Sequence, residues 1–309
     1  MTKKKILVVG SLNMDIVINM KKIPAVGETV EGSGYWHSPG GKGANQCCAA
    51  AKLGGNVQML GCIGNDSYGQ ILKRSLATAG ADVNAIAEAA ESTGMAYIFA
   101  DQDAHNSIVT IKGANACCDC ARIDQSRELV KNCDIVLLQN EIPEEAIFHL
   151  IEMAYEEHKI IIWNPAPALH KVPDQILSRI DYLTPNETEL ASMTGQSTAA
   201  QEEIIAAGKL LIQKGVRNVV VTAGAAGAVW IRESGQKTVP GIKVNAIDTT
   251  GAGDCFNGAL AVSIAEGMQT QEAIQKANAA SALSVTRKGA QISMPDKAEW
   301  EAFYQSIVK

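Results

Sequence analysis

The sequence lacks several features that identify common classes of protein. Its 309 residues contain no apolar stretch near the roughly 18 residues that a membrane-spanning helix needs. Basic residues are not in excess, and the formal net charge of −6 argues against nucleic acid or an anionic membrane as the main partner. The apolar run 6–9 after the basic N-terminus is shorter than the about 7–15 residues of a secretory signal. We therefore expect a cytoplasmic protein.

Two common nucleotide-binding fingerprints are also absent. No GxGxxG motif occurs, which excludes the simple dinucleotide-binding site of a typical dehydrogenase. Lys42 follows a glycine, as the lysine of a Walker A motif does, but the earlier glycine of that motif is missing. Position 43 is a glycine instead of serine or threonine. Any nucleotide site must therefore be built differently.

The chain has eight cysteines, but without an export signal we expect reduced thiols instead of disulfides. Cys117, Cys118 and Cys120 form the only tight cluster, and Cys133 follows further on. A structural zinc site would need a second paired set of ligands, which this spacing does not provide. The sequence therefore predicts free thiols here.

Short apolar runs alternate with helical patterns along most of the chain. This alternation predicts one α/β domain over residues 1–309, with a doubly wound, mostly parallel sheet flanked by helices. Two segments depart from the pattern, at about residues 14–38 and 94–112, and their alternation is typical of β-hairpins. The second has its turn at Asp101–Ala104. We expect the two to pair into a small accessory sheet. The predicted strands of the main sheet are 5–10, 59–63, 135–138, 160–163, 219–221 and 228–231, and the predicted helices are 47–53, 69–79, 144–157, 201–214 and most of 253–309.

The segment Asp248–Asp254 joins two carboxylates through a Gly-Ala-Gly turn. Spacing of apolar residues by four predicts an amphipathic helix over Cys255–Ala265, ending near Gly267. The turn therefore leads into a helix N-terminus, where free N–H groups and the helix dipole form an anion site. Asp254 either caps this helix or takes a proton from a hydroxyl that attacks a phosphoryl group.

Further polar residues follow predicted strands, where ligands bind in open α/β sheets. Asn13 and Asp15 follow the first strand and Glu141 follows another, although Asn and Asp also favour simple turns. Asn186–Glu189 has the spacing of a capping box. The small residues of Thr222–Gly227 could lie against a flat ring or a phosphate.

Together these motifs resemble the ribokinase-type family of carbohydrate kinases, which includes fructokinase and adenosine kinase. The resemblance spans residues 5–307, and its motifs are Gly40–Gln46, Asn164–Pro167, Thr184–Glu189, Asp248–Asp254 and Val285–Ala290. It implies ATP-dependent phosphorylation of D-ribose to D-ribose 5-phosphate. It leaves open a 2-deoxyribose kinase, or a kinase for another small sugar or a nucleoside. A catalytically silent sensor is disfavoured, because a sensor has no need of a base.

The resemblance also implies roles for individual residues. Asp254 is the base for the sugar hydroxyl. The anion hole matches Gly251, Ala252 and Gly253, and the contacts to the sugar hydroxyls match Asn13, Asp15, Gly41, Lys42, Asn45 and Glu141. The nucleotide contacts match Asn186, Thr222, Gly224, Gly227, Gly253 and Asn278. Mg²⁺ held through water matches Glu189, and a K⁺ site matches Asp248, Thr250, Ser284, Arg287, Gly289 and Ser293. Asn13 matches the position whose amide meets the sugar near its 2-hydroxyl.

Two further expectations concern the accessory sheet. In the family this sheet is a lid, and two lids clasp to form a homodimer, so we expect a homodimer here. Lys112 stands where ribose enzymes often carry histidine and where deoxyribose enzymes carry lysine, so the sugar is not settled by the sequence.

Overall fold

The computed structural model describes residues 3–103 and 105–308. Ala104 of the predicted turn, and both ends of the predicted domain, lie outside these residues. The strands are β1 Lys5–Val9, β2 Asn13–Met20, β3 Gly32–Gly40, β4 Asn56–Gly64, β5 Asp82–Ala89, β6 Gly94–Ala100, β7 Asn106–Ile111, β8 Ile135–Leu138, β9 Ile160–Trp163, β10 Tyr182–Leu183, β11 Asn218–Thr222, β12 Gly227–Arg232 and β13 Gly235–Pro240. The helices are α1 Lys42–Lys52, α2 Ser67–Ala79, α3 Cys120–Gln125, α4 Arg127–Lys131, α5 Glu144–Glu156, α6 Asp174–Leu177, α7 Glu187–Thr194, α8 Gln201–Gln213, α9 Ala252–Ala265, α10 Thr270–Ser284 and α11 Lys297–Val308, with 3₁₀ turns at Gly113–Cys117 and Gly224–Ala226.

The main sheet has the order β13-β12-β11-β10-β9-β8-β1-β4-β5. Its strands from β11 to β5 pair in parallel, and β12 and β13 are antiparallel additions at one edge. The central strands are apolar along their whole length, as in Ile135–Leu138, because helices cover both faces. The predicted fold class is confirmed.

The two predicted hairpins form a separate sheet with the order β3-β2-β6-β7. Asn13 of β2 is paired with Gly40 on one side and with Gly94 on the other. The three residues Gly10–Leu12 connect β1 of the main sheet to β2 of this small sheet. The small sheet therefore meets the main sheet at the C-terminal end of β1.

Three strands of the main sheet have no counterpart in the sequence prediction: β5, β10 and β13. Strands β5 and β13 lie at the two edges of the sheet, and their exposed polar residues hide the apolar alternation. Strand β10 has only two residues, Tyr182 and Leu183, which is too short for any periodicity.

The prediction that Cys255–Ala265 forms an amphipathic helix is wrong in its character and in its start. Helix α9 begins at Ala252, and all residues from Asp254 to Ile264 are buried, because the helix packs between α1, α10 and the sheet. A β-carbon on Gly258 would lie 2.8 Å from the carbonyl oxygen of Gln46, so this glycine permits close packing against α1. Helix α1 likewise begins at Lys42, five residues before the predicted start.

Within the described residues, no helix combines the length and apolarity needed to cross a membrane.

Candidate active site

Polar side chains converge where the parallel strands of the main sheet end. The segments that follow β1, β8, β9, β10 and β11 all leave the same edge, since parallel strands share their direction. Helices α1 and α9 begin beside this edge. The first strand of the small sheet adds Asn13 and Asp15.

Asp254 does not cap its helix. The N-cap position of α9 is Gly251, and no side chain caps it. The Asp254 carboxylate, only 7% exposed, instead accepts hydrogen bonds from Asn45 Nδ2 at 2.9 Å and from Gln46 Nε2 at 3.0 Å. Two amides of α1 therefore hold this carboxylate in place, which favours the base over the cap.

The Gly-Ala-Gly turn forms the N-terminus of α9. Gly251 has a left-handed backbone with φ of 74°, which glycine adopts without strain. The N–H group of Ala252 donates to the Thr249 carbonyl at 3.2 Å, whereas those of Gly251 and Gly253 have no acceptor among the described residues. The turn therefore has free donors for an anion, although Ala252 is partly engaged.

The predicted sugar-binding residues lie around Asp254. Glu141 accepts hydrogen bonds from the Ser11 hydroxyl at 2.5 Å and from the backbone N–H of Lys42 at 3.0 Å. Asn45 has a buried carbonyl oxygen without a hydrogen-bond partner, which is an acceptor available to a ligand hydroxyl. Gly41, with φ of 87°, turns the chain from β3 into α1.

The pKa shifts of these residues reflect how close their charged groups lie to one another. Burial, and then the charges of Glu141 and Asp254, raise the pKa of Asp15 to about 7. Burial also raises the pKa of Asp254, against the effect of Lys42 and of the two amides. Burial lowers the pKa of Lys42, but the surrounding carboxylates outweigh it, so the net shift is upward. One ammonium group therefore lies among several carboxylates.

Three buried amides link Asp254 to the sheet and had no assigned role in the sequence interpretation: Gln46, Gln139 and Asn164. Gln139 donates to Gln46 at 2.7 Å, and Gln46 Nε2 donates at 3.0 Å to both Asp254 and Asn164. All three follow predicted strands or stand in the quoted motifs. Their position in the sequence was the available signal, but their mutual contacts arise only from the fold.

The predicted nucleotide residues form a strip along one side of the site. Asn186 and Thr222 are joined by a β-bridge, and Gly227 pairs with Pro240 of β13. The Asn278 amide donates to the Val239 and Pro240 carbonyls at 3.3 and 3.2 Å, so only its oxygen is free for a ligand. Gly224, with φ of 50°, faces open space.

Glu189 belongs to a capping box with Asn186, as the spacing predicted. Its two carboxylate oxygens accept from the Asn186 backbone N–H at 2.9 Å and from the Asn186 side chain at 3.0 Å. Burial raises the pKa of Glu189, and Lys42 opposes this. Capping and proximity to the site therefore coexist in one side chain.

The residues of the predicted K⁺ site lie on the loop 247–250 and on the adjacent segment 284–293, which starts at the last residue of α10. Asp248 accepts from the Thr250 N–H and hydroxyl at 2.9 and 2.7 Å, and from the Gly289 N–H at 2.8 Å. Burial raises the pKa of Asp248, but these hydrogen bonds outweigh it and the pKa is lowered. The Ser284 hydroxyl donates to the Ser281 carbonyl, and the Ser293 hydroxyl donates to the Ala290 carbonyl.

Arg287 does not place its charge between these two segments. Its guanidinium forms two hydrogen bonds with the Glu299 carboxylate, at 3.2 and 2.7 Å. The groups between the two segments that can bind a cation are carboxylate, hydroxyl and backbone oxygens, a set of ligands that suits a hard cation.

All eight cysteines are free thiols in the structure. The buried Cys118 lies beside Cys62 of β4, and Cys117 donates to the Glu91 carboxylate at 2.9 Å. The members of the sequence cluster therefore face different neighbours.

Residues 3–297 match the model of the pfkB family of carbohydrate kinases. The chain belongs to this family.

Named relatives extend the match. The chain is 38% identical to a ribokinase of Haemophilus influenzae over 98% of its own length and 99% of the relative's. It is also 38% identical to a deoxyribokinase of Salmonella typhi, over 94% and 95% of the two chains. A structure of Arabidopsis thaliana ribokinase complexed with ribose and ATP superposes with a TM-score of 0.92 at 32% identity, covering 99% of each chain.

Proposed function

We propose that this chain forms a single-domain enzyme that transfers the γ-phosphoryl group of ATP to O5 of D-ribose, giving D-ribose 5-phosphate and ADP. The observation that carries the proposal is the Asp254 carboxylate. It is buried, held by two amides instead of capping its helix, and placed beside free N–H groups at a helix N-terminus. The similarity to ribokinases over nearly the whole chain supports the choice of sugar.

In the proposed reaction, Asp254 takes the proton of the sugar's primary hydroxyl. The hydroxyl oxygen then attacks the γ-phosphorus, and the bond between that phosphorus and the bridging oxygen of ADP breaks. Negative charge that develops on the phosphoryl oxygens is stabilised by the N–H groups of the Gly251–Gly253 turn. The raised pKa of Asp254 makes it a stronger base than an exposed aspartate.

The remaining sugar hydroxyls meet the cluster of Asn13, Asp15, Lys42, Asn45 and Glu141 in this proposal. Carboxylates accept hydroxyl protons, whereas the ammonium and amide groups donate to hydroxyl oxygens. Gly41 lets the backbone approach the sugar. The nucleotide lies along the strip formed by Asn186, Thr222, Gly224, Gly227 and Asn278, with its phosphates toward Gly253.

Two cations are part of the proposal. Glu189 would hold Mg²⁺ through water, which suits a carboxylate whose two oxygens already accept hydrogen bonds, and the ion would neutralise charge on the ATP phosphates. K⁺ fits the oxygen-only donors around Asp248, Thr250, Ser284, Gly289 and Ser293, with Arg287 contributing its backbone. There it would fix the loop that packs against Gly251, where Ala290 lies near the glycine.

The small sheet serves as a lid in this proposal, and two lids form a homodimer. Large apolar side chains of the sheet are exposed, among them Tyr35 (74%), Trp36 (50%), Ile108 (56%) and Val109 (53%). These residues lie on the two edge strands and alternate between the two faces of the sheet. One apolar face therefore stays exposed when the other covers the site, which favours a second copy of the chain as partner. Sedimentation should show a dimer at micromolar concentration, and a monomer would contradict this part.

A second candidate is phosphorylation of 2-deoxyribose, since a deoxyribokinase is as similar in sequence as the ribokinase. Release of ADP should be measured with ribose, 2-deoxyribose, fructose and adenosine, each in K⁺ and in Na⁺ at equal ionic strength. We expect ribose to be preferred and K⁺ to raise the rate. No turnover of any of these would refute the kinase proposal, and equal rates in both salts would remove the K⁺ site from it.

A further inference from the structure

Asn115 is a buried side chain next to the candidate sugar site that has no role in the account so far. It lies in the 3₁₀ turn that follows the lid strand β7, and it is 1% exposed. Its Oδ1 accepts from the Leu12 N–H at 2.8 Å, and its Nδ2 lies 3.3 Å from the Leu12 carbonyl. It thus bonds to the connection between the two sheets as a neighbouring strand would.

The same Nδ2 donates to Asn13 Oδ1 at 2.7 Å. An asparagine amide has a donor end and an acceptor end that are nearly equal in shape, so its orientation depends on its partners. Because the NH₂ group of Asn115 only donates, it holds the oxygen of Asn13 and turns the Asn13 amine the other way. That amine has no acceptor among the described residues.

Gly94 provides the space for this contact. It pairs with Asn13 at the start of β6, and a β-carbon there would collide with both Asn115 Nδ2 and Asn13 Oδ1. Strand β6 therefore passes next to the hydrogen bond between Asn115 and Asn13 at a glycine, the residue type that leaves this bond intact.

We propose that Asn115 is a positioning residue that fixes the Asn13 amide with its amine toward the sugar, and so sets the preference for a sugar with a 2-hydroxyl. The inference rests on the proposed function. A hydroxyl has one proton, and beside the Glu141 carboxylate that proton is donated to a carboxylate oxygen. The hydroxyl oxygen then needs a donor, which the oriented Asn13 amine supplies. A 2-deoxy sugar leaves that amine unpaired.

The test compares kcat/KM for ribose and 2-deoxyribose in the wild type and in Asn115→Asp. This change keeps the acceptor for the Leu12 N–H but places a carboxylate oxygen against both Asn13 Oδ1 and the more distant Leu12 carbonyl. The Asn13 amide is free to relieve this by turning over. We expect kcat/KM for ribose to fall about tenfold and that for 2-deoxyribose to change by less than about threefold. In an Asn13→Ala background, Asn115→Asp should no longer alter the ratio of the two sugars.

Two further variants separate positioning from a structural role. Gly94→Ala disturbs the hydrogen bond between Asn115 and Asn13 from strand β6. It should therefore reduce the preference for ribose over 2-deoxyribose in the same way, even if Asn115→Asp folds poorly. Asn218→Asp is the matched control, because Asn218 Nδ2 also donates to a backbone carbonyl, that of Asp181, but lies in the main sheet. It should leave the sugar ratio unchanged.

An equal loss for both sugars in Asn115→Asp, or a ratio change that persists without Asn13, would overturn the inference while leaving the kinase proposal intact. A wild type that phosphorylates neither sugar would overturn the proposed function, and this inference with it.

Discussion

In the main sheet, β1 and β8 have every residue buried except Lys5 at the start of β1, whereas in the small sheet all six residues of β7 are exposed. The main sheet is covered by helices on both faces, so its strands are held by packing on all sides. Outside its own strands, the small sheet packs against helices α1 and α2 through β2 and β3, and against the 3₁₀ turn Gly113–Cys117 through β6. The residues of the candidate active site lie where the two sheets meet.

The two sheets therefore differ in what they contribute to the protein. Buried apolar area in the main sheet provides stability, and the small sheet provides little of it in the isolated chain. The small sheet contributes side chains such as Asn13 and Asp15 to the candidate site, and the proposed lid closure and homodimer would use its exposed faces. The following substitutions test this difference between the two sheets, beginning with the largest expected effect.

Asp254→Asn should lower kcat at least about 10³-fold, because it removes the base and leaves the shape unchanged. Stability should change little, because the gain from removing a buried charge is offset by the loss of one of the two hydrogen bonds from Asn45 and Gln46. Steady-state ADP release and thermal unfolding measure the two effects. Asp181→Asn, the same change at a partly buried aspartate of the main sheet, should leave kcat within about twofold. Retention of more than about a tenth of the activity by Asp254→Asn would remove Asp254 from its catalytic role.

Leu137→Ala in β8 should lower the free energy of unfolding by about 2–5 kcal/mol, because Leu137 is fully buried and its truncation leaves a cavity. Val109→Ala in β7 should cost less than about 0.5 kcal/mol at a monomeric concentration, since Val109 is 53% exposed. Urea unfolding of both variants measures the contrast. Similar losses at the two positions would show that the lid is as strongly packed as the main sheet.

Asp15→Asn should stabilise the protein in a pH-dependent way. The pKa of Asp15 is raised from 3.8 to about 7, so its ionisation lowers stability as the pH rises between these values. The variant should gain up to about 4 kcal/mol above pH 7 and almost nothing near pH 4.

Asp66→Asn should show the opposite sign. The pKa of Asp66 is lowered, because hydrogen bonds from Thr93 and Gly69 outweigh the effect of burial. The substitution should therefore destabilise at neutral pH, and the loss should diminish in acid. Unfolding curves at pH 4 and pH 8 test Asp15→Asn, whereas Asp66→Asn needs curves that extend below pH 3.8, where its loss should diminish. A pH-independent effect at Asp15 would contradict its raised pKa.

Much of the main sheet could be predicted because its central strands are apolar along their length. The edge strands β5 and β13 could not, because exposed polar residues interrupt their apolar residues and leave no clear period. Helix α9 was assigned the wrong character for a related reason: its small and apolar residues lie on every face, and burial on all sides depends on the neighbouring helices.

The residues of the site could be located more readily than their contacts. Asp254, Asn13 and Glu141 stand at strand or helix ends in the sequence, so their approximate place follows from the fold class. Whether Asp254 caps its helix or faces a substrate depends on Asn45 and Gln46, about 208 residues away in the chain. Asn115 gave no signal, because a single asparagine between two elements has no periodicity or motif of its own.

Helices α1, α7 and α9 all begin at the candidate site, at Lys42, Glu187 and Ala252. Each helix start is equivalent to roughly half an elementary positive charge, so together they supply about as much charge as one or two lysines. This field comes from the backbone, and no side-chain substitution or change of pH removes it. A protein with a net charge of −6 and a cluster of carboxylates in its cleft can in this way still attract a triphosphate.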